Sequence, residues 1–226
     1  MTPTIILDFD GTVALGLGPI EAFARAVGAA AADAGFAPRA MTAIAEFEDG
    51  RGAGRDGYDV VSTLAAAQGV SPEALEAAYQ SSRALLGSAD APVSPPDRLA
   101  AFLTRVGAHA DVVLATNAPG AGIRSLLDAW GVADAFTAMH FTVGKPAGLT
   151  AIVRDALQRG PVLSVGDIEE FDLRPAAALG ADTALVGATA ARSTAEVTLR
   201  GRTLADLYDR IEAWAAAAHA AASPAS

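Results

Sequence analysis

Short runs of apolar residues, each about as long as a buried strand, recur along the chain. They predict strands over residues 4–9, 111–116, 138–142, 161–165 and 183–186. Apolar positions with helical spacing lie between the last four runs, at residues 120–130, 148–158 and 172–179. Strands that alternate with helices in this way favour βαβ units and a parallel sheet. The pattern therefore predicts an α/β fold, and such sheets bind ligands at the carboxyl ends of their strands.

Residues 16–94 break this alternation, because they carry helical patterns and no convincing strand. The helical patterns lie at residues 19–34, 38–47, 58–68 and 72–86. A proline-rich stretch at 91–96 is typical of a rigid linker, and a closing helix is predicted over residues 202–222. We therefore expect two domains: a sheet core made of residues 1–15 and 95–226, and a helical domain of residues 16–94 inserted after the first strand.

The composition narrows the possible functions. The chain has 226 residues and is 52% hydrophobic, which is enough apolar material for a sizeable core. Its 26 acidic residues outnumber 16 basic ones, and the net charge of −10 disfavours binding to nucleic acid or to an anionic membrane. With no cysteine, the chain has no disulfide, thiolate nucleophile or zinc–thiolate site. Because we see no secretory signal and no apolar stretch of transmembrane length, we expect a cytoplasmic protein. For its oligomeric state we expect a monomer or a homodimer.

Two aspartates stand at the end of the first predicted strand. Asp8 and Asp10 are separated by one residue, so their side chains point the same way. Gly11 lets the backbone turn sharply and approach a ligand. Paired carboxylates can divide labour, one acting as a nucleophile or metal ligand and the other as a proton donor. A strand that simply ends in turn-forming aspartates would show the same pattern.

A third aspartate, Asp167, follows the fourth predicted strand, and Asp172 comes shortly after it. If the strands are adjacent, Asp167 shares a sheet edge with Asp8 and Asp10, and clustered carboxylates of this kind need a cation to stay ionised. Mg²⁺ prefers such hard oxygen ligands and also coordinates substrate phosphate. The ion would therefore supply the local positive charge that an acidic protein needs for phosphate chemistry.

Two further positions can contribute to phosphate binding. Lys145 is the one lysine among 16 basic residues, which indicates a place that needs a compact ammonium group rather than a guanidinium. Thr116 and Asn117 follow the second predicted strand, where a hydroxyl and backbone N–H groups can hold phosphate oxygens. Threonine and asparagine are also common in ordinary turns, so this second signal is weak by itself.

The motifs, taken together and in order, resemble those of the haloacid dehalogenase-like hydrolases. They are Asp8-x-Asp10-Gly11-Thr12, Thr116-Asn117, Lys145-Pro146 and Gly166-Asp167-x4-Asp172. The resemblance covers the whole chain, because the helical insertion is similar to the α-helical cap of that family. It implies a Rossmann-like parallel-sheet core with an inserted helical cap.

The resemblance also implies roles for the aspartates at the strand ends. Asp8 would attack phosphorus and form a phosphoaspartate. Asp10 would protonate the leaving oxygen and then deprotonate the water that hydrolyses the intermediate. Mg²⁺ would be held by Asp8, the backbone carbonyl of Asp10, and Asp167.

The remaining motif residues would bind and orient the phosphoryl group. Thr116 and Lys145 would hold its oxygens, helped by backbone N–H groups near Asn117. Asp172 would orient Lys145 or a metal-bound water. Positioning and neutralisation of charge by such groups provide most of the catalysis in phosphoryl transfer.

The second aspartate, Asp10, also bears on the reaction class. Dehalogenases of the family lack it and need no metal, so the resemblance implies a Mg²⁺-dependent phosphatase. Its substrate would be a small phosphorylated metabolite such as phosphoglycolate or a sugar phosphate. A phosphomutase of the same fold and a non-enzymatic member that binds a protein are the alternatives.

Substrate selection is expected from the helical insertion, where residues 49–57 form an unusual glycine-rich segment. Arg51 and Arg55 in that segment could clasp a carboxylate or a second phosphate. A hinge or a solvated loop would have the same composition, and Arg83 and Arg98 are competing candidates for the anion contact.

Overall fold

A computed structural model of the chain, which describes residues 1–222, contains a six-stranded parallel sheet with the order β3-β2-β1-β4-β5-β6. The strands are β1 Thr4–Leu7, β2 Asp111–Ala115, β3 Ala138–His140, β4 Val162–Gly166, β5 Asp182–Leu185 and β6 Leu199–Arg200. The predicted α/β class and parallel sheet are therefore confirmed. The five predicted strands are all present, although their ends shift by up to two residues.

The helices of the described residues alternate with these strands and also fill the segment between β1 and β2. They are α1 Gly18–Ala30, α2 Phe36–Glu48, α3 Gly57–Ala67, α4 Pro72–Ala84, α5 Leu99–Gly107, α6 Ile123–Ala129, α7 Ala147–Leu157, α8 Arg174–Ala177 and α9 Tyr208–Ala222. No helix within residues 1–222 is long and apolar enough to cross a membrane.

The order of the sheet puts the most apolar strands at its centre. Every residue of β1 and of β4 is buried, as expected for parallel strands covered on both faces. In β1, Leu7 is in register with Leu114 of β2 on one side and with Val165 of β4 on the other. The residues that follow these three strands therefore emerge at the same edge.

The structure corrects the sequence-based prediction at three places. Helix α5 was not predicted, because it has no side-chain N-cap and begins after Arg98, whose φ is +60°. Strand β6 has two residues, which is too short for a recognisable pattern. The helix predicted over 172–179 is instead a π-helical turn at Glu169–Leu173 followed by α8.

The chain divides into two compact units. The sheet unit comprises residues 1–15, 95–120 and the chain from residue 124 onward, and the helical unit comprises residues 16–94 and 121–123. Within the sheet unit, α5 packs on α9, where the rings of Phe102 and Tyr208 stack 4.1 Å apart.

The helical unit has a core of its own, built by α1 to α4. Aromatic and branched side chains from these helices are buried together, among them Phe23, Val27, Phe36, Ile44 and Val61. Two of the helices begin at side-chain N-caps: Asp56 accepts from the Asp59 amide of α3, and Ser71 accepts from the Ala74 amide of α4.

Candidate active site

The candidate site lies at the carboxyl edge of the sheet, where β1, β2 and β4 end side by side. Asp8 directly follows β1, and its amide still donates to the carbonyl of Val165 at 3.0 Å. Thr116 follows β2 and Asp167 follows β4. The parallel register therefore brings chemistry-bearing residues together from segments that are far apart in sequence.

Lys145 connects two of the aspartates. Its Nζ atom lies 2.5 Å from Asp8 Oδ1 and 2.6 Å from Asp172 Oδ1. The lysine side chain is 3% exposed, so this ammonium group lies in the interior. One buried cation therefore bridges two carboxylates that come from distant segments of the chain.

The backbone at Lys145 is fixed by the loop that follows β2. The Asn117 side-chain Oδ1 accepts a hydrogen bond from the Lys145 amide at 2.7 Å. Val143 donates its amide to the carbonyl of Thr116 at 3.0 Å, which ties the two loops together again. Asn117 therefore fixes the backbone of the loop that carries Lys145. The sequence predicted Asn117 among the phosphate-binding groups and did not predict this contact.

Thr116 is buried, and its hydroxyl oxygen accepts the amide hydrogen of Ala118 at 3.0 Å. This contact fixes the threonine side chain at the strand end while its hydroxyl hydrogen stays available as a donor. The geometry is compatible with the predicted role in holding a phosphoryl oxygen.

Burial and neighbouring charges shift the pKa values of Lys145 and Asp172. Burial alone would lower the pKa of Lys145, but the negative charges of Asp8 and Asp172 outweigh it and raise that pKa above its usual range. Burial, and then the charge of Asp8, raises the pKa of Asp172 to about 7, although Lys145 opposes this shift. Lys145 is therefore a permanent cation at neutral pH.

Asp172 is held on several sides. Its Oδ2 accepts the Ile168 amide at 3.0 Å, and its carbonyl accepts the hydroxyl of Ser164 in β4 at 2.7 Å. Gly166 leaves room for it, since a Cβ atom at that glycine would lie 2.3 Å from the Asp172 side chain. Ser164 escaped sequence analysis because a lone hydroxyl in a buried strand carries no recognisable signal.

Asp167 lies between two glycines with positive φ. A Cβ atom on Gly11, in the turn after β1, would lie 2.3 Å from Asp167 Oδ2. A Cβ atom on Gly187, after β5, would lie 3.2 Å from Asp167 Cβ. Two backbone segments therefore approach Asp167, one at its carboxylate and one at its Cβ atom, more closely than residues with side chains would easily allow.

The chain resembles known proteins in structure and not in sequence. No protein-family model matches the chain, and a search of curated proteins finds no match. Solved structures do match: YfnB of Bacillus subtilis, a haloacid dehalogenase-like hydrolase bound to magnesium, has a TM-score of 0.62 and 16% identity over 93% of this chain and 98% of that one.

Two further matches represent different activities on the same architecture. A phosphatase of this type from Thermococcus onnurineus has a TM-score of 0.56 and 17% identity, covering 92% of this chain and 97% of its own. A 2-haloacid dehalogenase from Pseudomonas syringae has a TM-score of 0.54 and 16% identity, covering 95% of this chain and 100% of its own. The chain has the haloacid dehalogenase-like fold.

The carboxylates of this haloacid dehalogenase-like fold have the chemistry of a divalent-cation site. Asp8, Asp167 and Asp172 each offer an oxygen, and these oxygens lie within 4.8 Å of one another. Hard carboxylate oxygens are the ligands that Mg²⁺ takes in proteins. The two oxygens of Asp172 already accept hydrogen bonds from Lys145 and Ile168, which favours Asp8 and Asp167 as ligands and Asp172 as an orienting group.

Asp10 lies in the turn that follows β1 and is half-buried. The turn is closed by hydrogen bonds from the Gly11 amide to the Ala14 carbonyl at 2.9 Å and from the Ala14 amide to the Phe9 carbonyl at 2.8 Å. Gly11 has a φ of +79°, which permits this sharp reversal. The motif thus places both aspartates on one short segment of backbone.

The two arginines predicted to select the substrate belong to the helical unit. Arg51 Nη1 lies 3.0 Å from Asp49 Oδ2, and the arginine side chain is 65% exposed. Arg55 Nη2 lies 2.5 Å from Asp59 Oδ1 of α3. Each guanidinium therefore has a nearby carboxylate in its own unit, and their contact with a substrate stays a prediction.

Proposed function

We propose that the protein is a Mg²⁺-dependent phosphatase that hydrolyses a small phosphorylated metabolite through a phosphoaspartate at Asp8. The observation that carries the proposal is the buried Lys145 bridging Asp8 and Asp172 beside Asp167 at the carboxyl edge of the sheet. Such an arrangement combines a carboxylate nucleophile with one buried ammonium group and with carboxylates that can hold a divalent cation. The family membership that the motifs and fold suggest is part of the same proposal.

In the first half of the reaction, a carboxylate oxygen of Asp8 forms a bond to phosphorus as the ester bond between phosphorus and the leaving oxygen breaks. Asp10 donates its proton to that oxygen, so the product leaves as a neutral alcohol. In the second half, Asp10 takes a proton from water as the water oxygen attacks phosphorus. The bond to Asp8 then breaks, releasing inorganic phosphate and restoring the carboxylate.

Lys145 would stabilise the transferring group. Its raised pKa keeps it protonated, and its burial strengthens its attraction to the phosphoryl oxygens because little water screens it. Asp172 keeps the ammonium aligned, and Thr116 donates its hydroxyl hydrogen to another oxygen of the group.

Mg²⁺, when bound, would neutralise the negative charge of the phosphate. We assign Asp8, Asp167 and the backbone carbonyl of Asp10 as its ligands. Asp167 is suited to this role because the backbone at Gly11 and Gly187 encloses it and limits its motion. A net charge of −10 makes the protein as a whole repel phosphate, so local cations have to outweigh that repulsion.

The choice of phosphatase over dehalogenase rests on Asp10. The fold is found in proteins of both activities, so it does not separate them. The resemblance of the motifs implies that dehalogenases lack an aspartate at this position, whereas phosphate-ester chemistry needs a proton donor for the leaving oxygen. A phosphomutase would use the same residues, and it differs in returning the phosphate to a sugar.

For the substrate, we propose a small anionic phosphate ester of the phosphoglycolate or sugar phosphate class. The support is the pair of exposed arginines, Arg51 and Arg55, in a glycine-rich segment of the helical unit. Their side chains are 65% and 48% exposed, which supports access of an anion from solution to the guanidinium groups. A substrate anion would compete with Asp49 and Asp59 for them.

Release of inorganic phosphate from a panel of phosphorylated metabolites tests the proposal. The assay compares wild type with Mg²⁺, wild type with EDTA, Asp8→Asn, and the control Asp155→Asn, which changes an exposed aspartate of α7. We expect turnover only with metal, lost in Asp8→Asn and retained in the control. Turnover that persists in Asp8→Asn would contradict the mechanism, and isomerisation of a sugar phosphate without phosphate release would identify a mutase.

A further inference from the structure

The loop between β5 and β6, residues 186–198, begins against the proposed metal ligand Asp167. Gly187 has a φ of +101°, and a Cβ atom at that position would lie 3.2 Å from Asp167 Cβ and 4.0 Å from its Cα. The backbone of this loop, which we call the β5–β6 loop, therefore forms one wall of the space that Asp167 occupies.

The side chain of Arg200 forms hydrogen bonds to three carbonyl groups of the β5–β6 loop. Arg200, in β6, donates from its guanidinium to the carbonyl of Ala190, to that of Ser193 at 2.9 Å and to that of Ala195 at 2.5 Å. The planar guanidinium has five N–H groups in a fixed arrangement, so it can hold three carbonyls in one orientation. The residue is half-buried, which limits competition from water.

The clamped segment is bonded directly to Gly187. The Ala190 amide donates to the Gly187 carbonyl at 3.1 Å, and the Gly187 amide donates to the Arg202 carbonyl at 3.0 Å. Ala190 therefore links Arg200 to Gly187. Its carbonyl accepts a hydrogen bond from Arg200, and its amide donates one to the carbonyl of Gly187.

The same loop also packs against the residue next to Asp172. Leu173, Leu185 and Ala190 are buried together, and Ala195 and Val197 pack against them. Three of these five residues, Ala190, Ala195 and Val197, belong to the β5–β6 loop, and Arg200 holds two of them by their carbonyls. This apolar contact is a second connection between the loop and the candidate site, made by side chains and not by main-chain hydrogen bonds.

We infer that Arg200 is a positioning residue for metal binding: it clamps the β5–β6 loop so that Gly187 packs against Cβ of Asp167 and limits the movement of that side chain. The inference rests on the proposed function, in which Asp167 is a metal ligand. Without the guanidinium, three carbonyls lose their common donor and the loop relaxes away from Asp167. Groups that orient metal ligands typically change metal affinity by about 10–100-fold when removed.

The test is direct binding of Mn²⁺, as a probe for Mg²⁺, measured by the electron paramagnetic resonance signal of the free ion. For Arg200→Met we expect affinity to fall by about 10-fold, at the lower end of the range for removed orienting groups. Arg200→Lys, which keeps a donor but not the planar fork, should lie between Arg200→Met and wild type.

The matched control is Arg105→Met. Arg105 also bridges two elements of the sheet unit, binding Glu212 of α9 through three hydrogen bonds of 2.7–3.0 Å. Its side-chain hydrogen bonds within the described residues go to Glu212 and not to the β5–β6 loop, so its loss should lower the urea midpoint slightly and leave the Mn²⁺ affinity unchanged. An equal loss of affinity in both variants would show general destabilisation and overturn the inference.

Gly187→Ala probes the other end of the same connection. The added methyl group would press on Asp167 while the bonds of Arg200 remain, so we expect weaker Mn²⁺ binding from this variant too. Unchanged affinity in Arg200→Met contradicts the positioning role and leaves the phosphatase proposal intact. Wild type that binds Mn²⁺ but hydrolyses no phosphate ester contradicts the phosphatase proposal and leaves the positioning role intact.

Discussion

The charged residues of the candidate site and the exposed arginines of the glycine-rich segment, Arg51 and Arg55, are held in opposite ways. Lys145 has a side chain that is 3% exposed and meets Asp8 from 137 positions away in the chain. Arg51 is 65% exposed and pairs with Asp49, its near neighbour in sequence. Topology thus fixes the first pair, whereas local sequence alone produces the second.

This difference separates the roles of the two regions. A buried charge that loses its partner is strongly destabilising, whereas an exposed pair contributes little to stability. The sheet unit can therefore hold ammonium and carboxylate groups in one arrangement suited to a single reaction. The exposed pairs of Arg51 and Arg55 can exchange partners at little energetic cost, as the proposed contact with a substrate anion requires.

The largest effect should come from Lys145→Met, which keeps most of the aliphatic stem and removes the cation. Two buried carboxylates then face each other, so the free energy of unfolding should fall by about 3–5 kcal/mol. The rate constant kcat should fall by about 10²–10³ if the lysine stabilises the transferring phosphoryl group. Urea unfolding in EDTA and phosphate release with Mg²⁺ measure the two effects.

Arg154→Met, which removes an exposed cation from α7, is the control for Lys145→Met. It should change the free energy of unfolding by less than about 0.5 kcal/mol. If both variants lost the same free energy of unfolding, the buried lysine would contribute no more to stability than an exposed cation, which contradicts the comparison.

A smaller effect is expected from Gly166→Ala. The new methyl group would lie 2.3 Å from the Asp172 side chain, so the aspartate or the strand has to move. Overpacking of this kind destabilises by about 1–3 kcal/mol, and displacement of Asp172 should also reduce kcat. Gly107→Ala, at the end of α5, has no atom within 4 Å of the added carbon and serves as the control. Wild-type kcat in Gly166→Ala would show that the position of Asp172 does not matter for turnover.

The dependence of stability on pH should change in Asp172→Asn. Burial and the charge of Asp8 raise the pKa of Asp172 from 3.8 to about 7, so between these values the folded protein binds more protons than the unfolded chain. This carboxyl therefore lowers the stability of the metal-free protein as pH rises through that window. Urea unfolding in EDTA at several pH values should show that the fall is smaller in Asp172→Asn. Identical pH profiles would mean that the buried carboxyl does not titrate there.

The smallest change in stability should follow Arg51→Ala and Arg55→Ala. Exposed ion pairs contribute about 0.2–1 kcal/mol, so each variant should unfold close to wild type. If these arginines bind the anionic substrate, kcat/KM should fall by roughly tenfold or more, because one charge-assisted hydrogen bond contributes about 1.5–3 kcal/mol and about 1.4 kcal/mol corresponds to tenfold. Unchanged kcat/KM in both variants on the best substrate would remove them from the specificity proposal.

The sheet could be predicted because its central strands are continuous apolar runs that end in polar clusters. The same runs placed Asp8, Asp167 and Thr116 at strand ends, and the structure brings these ends to one edge. The importance of Lys145 came from its being the one lysine in the chain, a compositional signal that needs no structure.

The contacts that hold the site could not be predicted, because they depend on how loops and turns meet in three dimensions. The bond from the Lys145 amide to Asn117 depends on how two loops meet, and the bond from Ser164 to the Asp172 carbonyl depends on the π-helical turn. Arg200 binds main-chain carbonyls, which every residue possesses, so its partners carry no sequence signature. Supporting interactions of this kind become visible only in three dimensions.

The central claim is that Asp8 becomes covalently phosphorylated during turnover. Acid quenching of the reaction in progress, reduction with borohydride and peptide mass spectrometry convert an acyl phosphate into homoserine and locate it. We expect homoserine at position 8 in samples quenched with substrate and Mg²⁺, and none in samples without substrate. Modification at another aspartate, or none while phosphate is being released, would contradict the account.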